Sequence, residues 1–230
     1  THSTSSAASD VYKRQLITNK IEKLVKVLSE KGISDVRVLQ AMLEIPRHEF
    51  LDGVFDAQAY EDMSLPIGHK QTISQPFIVA RMTELLISET AFVDRPLGEV
   101  LEIGAGCGYQ TAVLSKICRK VFAIERIEQL CVVAKKNLKK LNINNFEIKY
   151  GDGYEGWKIE KKFDGILCAA AAPLVPKKLK QQLNIGAKLV CPVGDQENQK
   201  LMTVKRISKE GFEEELVENV LFVPMLEGVD

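Results

Sequence analysis

Apolar residues recur along this chain at two different spacings, and the change from one to the other organises it. Leu16, Ile17, Ile21, Leu24, Val25 and Leu28 fall at helical spacing, and Gly32 follows as a stop. Asp35 is placed to cap a second helix carrying Val36, Leu39, Met42 and Leu43, which Pro46 ends. Pro46–Leu51 and Ala59–Gly68 hold several turn-formers and read as irregular. Gln71–Gln75 reads as an extended segment leading into a helix that opens at Pro76 and continues through Ile78, Val79, Met82, Leu85 and Leu86. From Gly98 onward short apolar runs alternate with helical patterns. Strands are predicted at Glu99–Ile103, Lys120–Ile124, Phe146–Tyr150, Asp164–Cys168 and Lys188–Pro192. Helices are predicted over Gln110–Ile117 and Gln129–Leu141, and a short one after Pro173 and Pro176 reaches Leu183. Two longer runs, Lys200–Ser208 and Leu216–Pro224, are joined by Lys209-Glu210-Gly211 and read as an antiparallel pair.

Alternating β and α units predict an α/β fold, with a doubly wound, mostly parallel seven-stranded sheet, an antiparallel C-terminal edge and extra N-terminal helices. No internal repeat or linker is visible, so residues 16–230 are expected to form a single domain. Residues 1–15 are expected to be a disordered or non-native tail, since Thr1–Asp10 is rich in Ser and Thr and has no apolar period.

Composition narrows the function by exclusion. The 230 residues balance 31 Lys and Arg against 31 Asp and Glu, and the pI is about 6.8. Neither nucleic acid nor an anionic membrane surface is favoured by such a balance. No apolar run is long enough to span a bilayer, and the N-terminus has no apolar signal core. Five widely spaced cysteines, with no metal-ligand spacing among them or the three histidines, point to a reducing compartment and no metal. A cytoplasmic monomer is the expectation. Cys107 alone lies where a ligand could touch it.

Candidate chemistry centres on Val100–Tyr109, VLEIGAGCGY, a strand running into a glycine turn and then a helix. Open α/β sheets bind ligands at such carboxyl ends, and glycine lets a ligand approach the backbone. A P-loop would need Lys and Ser or Thr after the last glycine, where Tyr109 and Gln110 stand. A dinucleotide fingerprint places its third glycine one residue later than Gly108. Acid-x-Gly-x-Gly-x-Gly is met in full by Glu102, Gly104, Gly106 and Gly108, and resembles the cofactor loop of S-adenosylmethionine-dependent methyltransferases. Glu125 closes the next strand and is placed to accept both ribose hydroxyls. Asp152, within Gly151-Asp152-Gly153, closes the third strand, where it or a neighbouring N–H reaches the adenine edge.

Upstream, AYEDMSLPIGHKQTISQPFIVA together with VLEIGAGCGYQTAVL resembles the protein-L-isoaspartate O-methyltransferase family, and matches extend from about Pro46 to Pro224. PRHEFL, the Ala170–Pro173 loop, Pro192-Val193-Gly194 and Phe222-Val223-Pro224 belong to the same resemblance. TISQP is its specific part, because general methyltransferases lack it. The resemblance implies a Rossmann-like methyltransferase fold with S-adenosyl-L-methionine as cofactor. It implies methyl transfer to the free α-carboxylate of L-isoaspartyl residues in damaged proteins and peptides. The ester then closes to a succinimide that hydrolyses partly to aspartate. The family's active-site serine falls on Ser74, and the cofactor-binding set on Gln71, Thr72, Ile73, Ser74, Glu102, Gly104, Gly106, Gly108, Glu125, Asp152 and Gly153.

Ser74 reads as a hydrogen-bond donor that orients the acceptor, since a carboxylate is ionised at neutral pH and needs no base. The chain departs from the family at Lys70, where glycine is common, at Ala169, often threonine, and at Cys107, commonly Ser or Thr. Two other readings are a methyltransferase for another carboxylate or hydroxyl, and a cofactor-binding module without turnover.

Overall fold

The computed structural model describes residues 3–88, 97–157 and 160–230. Helix α1 spans Ser3–Glu30 and α2 spans Val36–Glu44. The helical backbone of α1 begins at Ser3. The stretch contains no Gly or Pro, and a helix anchored by buried Leu24 and Leu28 gains one hydrogen bond for each residue added. Asp35 caps α2 as anticipated, accepting from Arg37 N–H at 2.9 Å.

The stretch read as irregular contains short 3-10 turns at Arg47–Phe50 and Gly53–Phe55, and then a hairpin. Strand β1 (Leu65–Gly68) pairs antiparallel with β2 (Gln71–Ile73). Its turn residues His69 and Lys70 both take left-handed backbone angles, φ 51° and 56°. Helix α3 then runs Pro76–Ile87 with Pro76 in its first turn.

The main sheet takes β3 (Leu97–Ile103), β4 (Cys118–Glu125), β5 (Phe146–Tyr150), β6 (Phe163–Cys168), β7 (Leu183–Gly194), β8 (Gln199–Arg206) and β9 (Phe212–Val220) in the order β5-β4-β3-β6-β7-β8-β9. Strands β3 to β7 are parallel, and β8 and β9 add the antiparallel edge. Helices α4 (Tyr109–Ile117), α5 (Glu128–Lys140) and α6 (Lys177–Gln181) connect the parallel strands.

Two strands shift by four residues or more. Strand β7 begins five residues before the predicted Lys188, taking over the end of the short helix. Strand β9 begins and ends four residues before the predicted run, because the chain leaves the ladder after Val220, which pairs with Gln199.

Order in the sheet reverses at β3. The chain steps outward to β4 and β5, then returns to β6 on the other side, which opens a crevice beyond the carboxyl end of β3. Val100, Leu101, Val121, Ala123, Ile166 and Leu167 fill the strands around this point with essentially no exposure. A rigid apolar floor thus sits under the glycine turn.

Candidate functional site

The glycine turn is held by hydrogen bonds to its backbone. Gly104 N–H donates to Ile124 O at 2.8 Å, and Gly108 N–H closes the turn onto Ala105 O at 2.8 Å. Gly104, Gly106 and Gly108 all have positive φ, of 87°, 53° and 91°, a region other L-residues enter at a cost. Gly108 also packs on α5: a Cβ there would lie 3.3 Å from Ala134.

Glu125 is 4% exposed and fully engaged with the backbone. Its Oε2 accepts from Gly106 N–H at 2.8 Å and its Oε1 from Ile127 N–H at 2.9 Å. Each oxygen keeps a further lone pair toward the crevice. Glu102 is wholly buried below the turn and accepts from the Thr111 hydroxyl at 2.5 Å, with its other oxygen unpartnered among the described residues. Burial pushes its pKa up to about 8. The Cys107 thiol, 3% exposed, is likewise pushed up by burial, to about 12.

A cavity of about 330 Å³ opens over this turn. Gly104, Gly106 and Glu125 form one wall, Gly153 another, and Gln71, Thr72, Ile73 and Ser74 a third. Glu102 and Gly108 do not line it, and neither does Asp152. Asp152 Oδ1 accepts from Tyr154 N–H at 2.8 Å, and its Oδ2 accepts from Gly228 N–H at 2.7 Å. Its carboxylate therefore ties the end of β5 to the C-terminal segment, which crosses the cavity and supplies Met225 and Leu226 to its lining.

A second cavity, of about 450 Å³, lies beside the first. Thr72, Ser74, Ala169 and Val223 line both. Neither the Ser74 nor the Thr72 hydroxyl is hydrogen-bonded among the described residues. Ala169 presents only a methyl group at this junction. Its N–H is used in the sheet, donating to Ile103 O at 2.8 Å. Lys70 lines the first cavity from the hairpin turn, with its side chain largely exposed.

The Ser74 segment is held by side chains that sequence patterns do not single out. Asp62 Oδ1 accepts from Phe77 N–H at 2.7 Å, and its Oδ2 from Gln75 Nε2 at 3.0 Å and Lys31 Nζ at 2.6 Å. Arg47, with no exposure, donates to three backbone carbonyls, one of them that of Ser74. Burial holds its pKa below the ordinary guanidinium value. Gln199, 4% exposed, brackets Phe222, accepting from its N–H at 2.6 Å and donating to its carbonyl at 3.1 Å. This fixes the strand continuation that walls the second cavity. Arg47 and Asp62 do lie in PRHEFL and AYEDMS, but their partners lie 12 to 31 residues away along the chain, and such distances leave no spacing signal.

Among the described residues, no group of three or more His, Cys, Asp and Glu side chains could hold a metal ion. None of their helices is long and apolar enough to cross a membrane. All five cysteines are free and buried.

The pattern of the protein-L-isoaspartate (D-aspartate) O-methyltransferase family matches residues 19–230. A protein-L-isoaspartate O-methyltransferase of Pseudomonas paraeruginosa is 48% identical over 207 residues, covering 90% of this chain and 95% of that protein. One from Burkholderia pseudomallei is 48% identical over 209 residues, which is 90% of this chain and 63% of that longer protein. Among solved structures, a Plasmodium falciparum protein of that description, in complex with S-adenosyl-L-homocysteine, superposes with a TM-score of 0.76 at 26% identity, covering 90% of this chain and 98% of that one. By sequence and by fold, the chain belongs to the protein-L-isoaspartate O-methyltransferase family.

Proposed function

We infer that the chain is an S-adenosyl-L-methionine-dependent repair enzyme that methylates the free α-carboxylate of L-isoaspartyl residues in damaged proteins and peptides. One observation carries the reading. Thr72 and Ser74 form a wall common to two cavities, one over the glycine turn and one beside it, and both hydroxyls are uncommitted among the described residues.

The first cavity fits the cofactor on its own chemistry. Gly153 and the glycine turn leave the backbone open, Glu125 keeps lone pairs for a ribose, and Ile103, Ile124, Ile127, Met225 and Leu226 offer apolar surface for a base. Bound there, S-adenosyl-L-methionine supplies an electrophilic methyl group. Gln71, Thr72, Ile73, Ser74, Gly104, Gly106, Glu125 and Gly153 are assigned to hold it by lining the cavity. Glu102, Gly108 and Asp152 are assigned to shape that lining from outside.

What remains for the chain is orientation. An α-carboxylate with a pKa of about 3.5 arrives ionised, so the site needs no base. Ser74 donates a hydrogen bond that points one carboxylate oxygen toward the methyl group, and the hairpin above Gly106 keeps water out. A carboxylate held too tightly would lose nucleophilicity, which suits a single neutral donor in place of a cationic clamp.

Residues 16–230 are proposed to act as one methyltransferase domain. We also propose a cytoplasmic monomer with no nucleic acid or membrane partner, supported by the zero formal charge and the free, buried cysteines. The test is incubation with labelled S-adenosyl-L-methionine and an isoaspartyl peptide beside its aspartyl twin. Base-labile label on the isoaspartyl peptide alone is expected. Label on neither peptide, with cofactor binding demonstrated by calorimetry, overturns the reading in favour of a binding module. Label on a different carboxylate or a hydroxyl would assign another acceptor.

A further inference from the structure

Arg47 opens the 3-10 turn Arg47–Phe50 and is completely buried. Among the described residues it has no carboxylate within ion-pair distance, and its Nε has no hydrogen-bond partner. A buried cation without a direct ion-pair partner is costly, so its neighbours should show what it does. Nη1 donates to Ala59 O at 2.8 Å, and Nη2 donates to Met63 O at 3.0 Å and Ser74 O at 3.1 Å. These carbonyls lie 12, 16 and 27 residues along the chain. The guanidinium also stands over the Tyr109 ring, 5.8 Å from its centroid. Tyr109 is the residue on which the glycine turn passes into α4, and it lines the cofactor cavity.

One planar cation therefore hydrogen-bonds the backbone of Ser74 and lies over the Tyr109 ring at the end of the glycine turn. We propose that Arg47 is a positioning residue that sets the register of Ser74 against the glycine turn, and so of the carboxylate against the methyl group. The guanidinium suits this task because its fixed fork reaches several acceptors in one plane while its face packs on a ring. Lysine offers the charge without the fork. The role rests on the functional reading above, and it is distinct from general structural support because it acts through Ser74.

A double-mutant cycle tests this on the full chain. Arg47→Lys in the wild-type background is expected to lower kcat on an isoaspartyl peptide about 100-fold, the scale of an ångström of misplacement. Calorimetric affinity for S-adenosyl-L-methionine should stay within about threefold, and KM should move less than kcat. In a Ser74→Ala background the same substitution should cost no more than about threefold, because residues acting through one another are not additive. A full-sized loss in both backgrounds overturns the role, as does a cofactor affinity that falls in parallel with kcat. If Arg47→Lys does not fold, Arg47→Gln, which keeps a planar donor, takes its place. Failure of both to fold makes Arg47 a structural residue and overturns the proposal. Wild-type turnover is the control: without it the functional reading itself fails, whereas turnover with additive losses sinks only the role of Arg47.

Discussion

Asp62 accepts a hydrogen bond from Phe77 N–H at 2.7 Å across 15 residues of chain, so α3 is capped from outside its own entry segment. The residue in the cap position, Gln75, makes no side-chain cap of its own. Gln75 instead donates to Asp62 through its amide at 3.0 Å, so the chain just after Ser74 is tied at two points to one carboxylate. Losing a cap costs about 0.5–2 kcal/mol. Asp62→Ala is expected to lie near the upper end, since Lys31 also loses its partner, and Asp62→Asn nearer the lower end. Urea midpoints measure this, and the kcat of both variants should fall more than their cofactor affinity. Equal losses would place Asp62 on the cofactor side.

Ser74→Ala removes one donor to a charged acceptor, a bond worth about 1.5–3 kcal/mol. Turnover should therefore drop by about 10- to 100-fold, with calorimetric affinity for S-adenosyl-L-methionine nearly unchanged. Equal losses in both would reassign Ser74 from the acceptor to the cofactor.

Lys70 sits at φ 56° in the hairpin turn beside His69 at φ 51°. The left-handed region costs an L-residue about 1–2 kcal/mol, which gives a physical reason for glycine at this place in the family. Glycine would relieve that cost but add about 0.4–1 kcal/mol of unfolded-state entropy. Lys70→Gly should thus be neutral to modestly stabilising in thermal unfolding. An unchanged KM for the isoaspartyl peptide would show that the Lys70 charge points to water; a raised KM would give it a part in attracting the carboxylate.

The parts of this site legible in the sequence are those where local chain geometry and ligand chemistry coincide. Gly104 and Gly106 need left-handed backbone where a ligand approaches, and Glu125 closes a strand beside them, so spacing alone points to the crevice. The β1–β2 hairpin was not legible. Its strands hold four and three residues, Pro66 and Gly68 interrupt the first, and His69-Lys70 lacks the Asn or Gly that marks such a turn. Asp152 shows a different limit. Its place at a strand end was readable, but not that one oxygen is taken by Gly228 N–H, 76 residues away. Arg47 and Asp62 are opaque for the same reason, since their partners lie on distant segments.

Glu102 makes stability depend on pH. In the folded chain burial keeps it protonated up to about pH 8, whereas its ordinary value is 4.5. Between those two values the unfolded chain has released a proton that the folded chain retains. This contribution to stability is therefore full below 4.5 and lost progressively as pH rises toward about 8. The slope approaches at most about 1.4 kcal/mol per pH unit. Glu102→Gln keeps an acceptor for Thr111 and removes the titration. The urea midpoint of the wild type should fall relative to that of the variant between about pH 5 and about pH 8. Parallel pH profiles for the two proteins would mean that Glu102 is ionised in the fold.

Gly153→Ala separates shape from conformational freedom at the cofactor cavity. Gly153 opens the 3-10 turn Gly153–Glu155 with no positive φ, so its backbone would accept alanine. Space would not: a Cβ would stand 2.4 Å from Ile103 Cγ2 and 3.0 Å from Met225 Cε. Ile103 ends β3 at 3% exposure, and a β-branched side chain has few rotamers with which to move away. Met225 is flexible, but it belongs to the segment that crosses the cavity, so relief on that side displaces the cavity wall. Overpacking of this kind costs about 1–3 kcal/mol. Gly53→Ala is the matched control, because nothing lies within 4 Å of a Cβ there, and its effect should stay within about 0.5 kcal/mol. Gly153→Ala should lower the unfolding midpoint and also weaken S-adenosyl-L-methionine binding by calorimetry, as Gly153, Ile103 and Met225 all line the same cavity. A destabilised variant with undiminished cofactor affinity would place the bound cofactor away from Gly153 and shift its base toward Ile124 and Ile127.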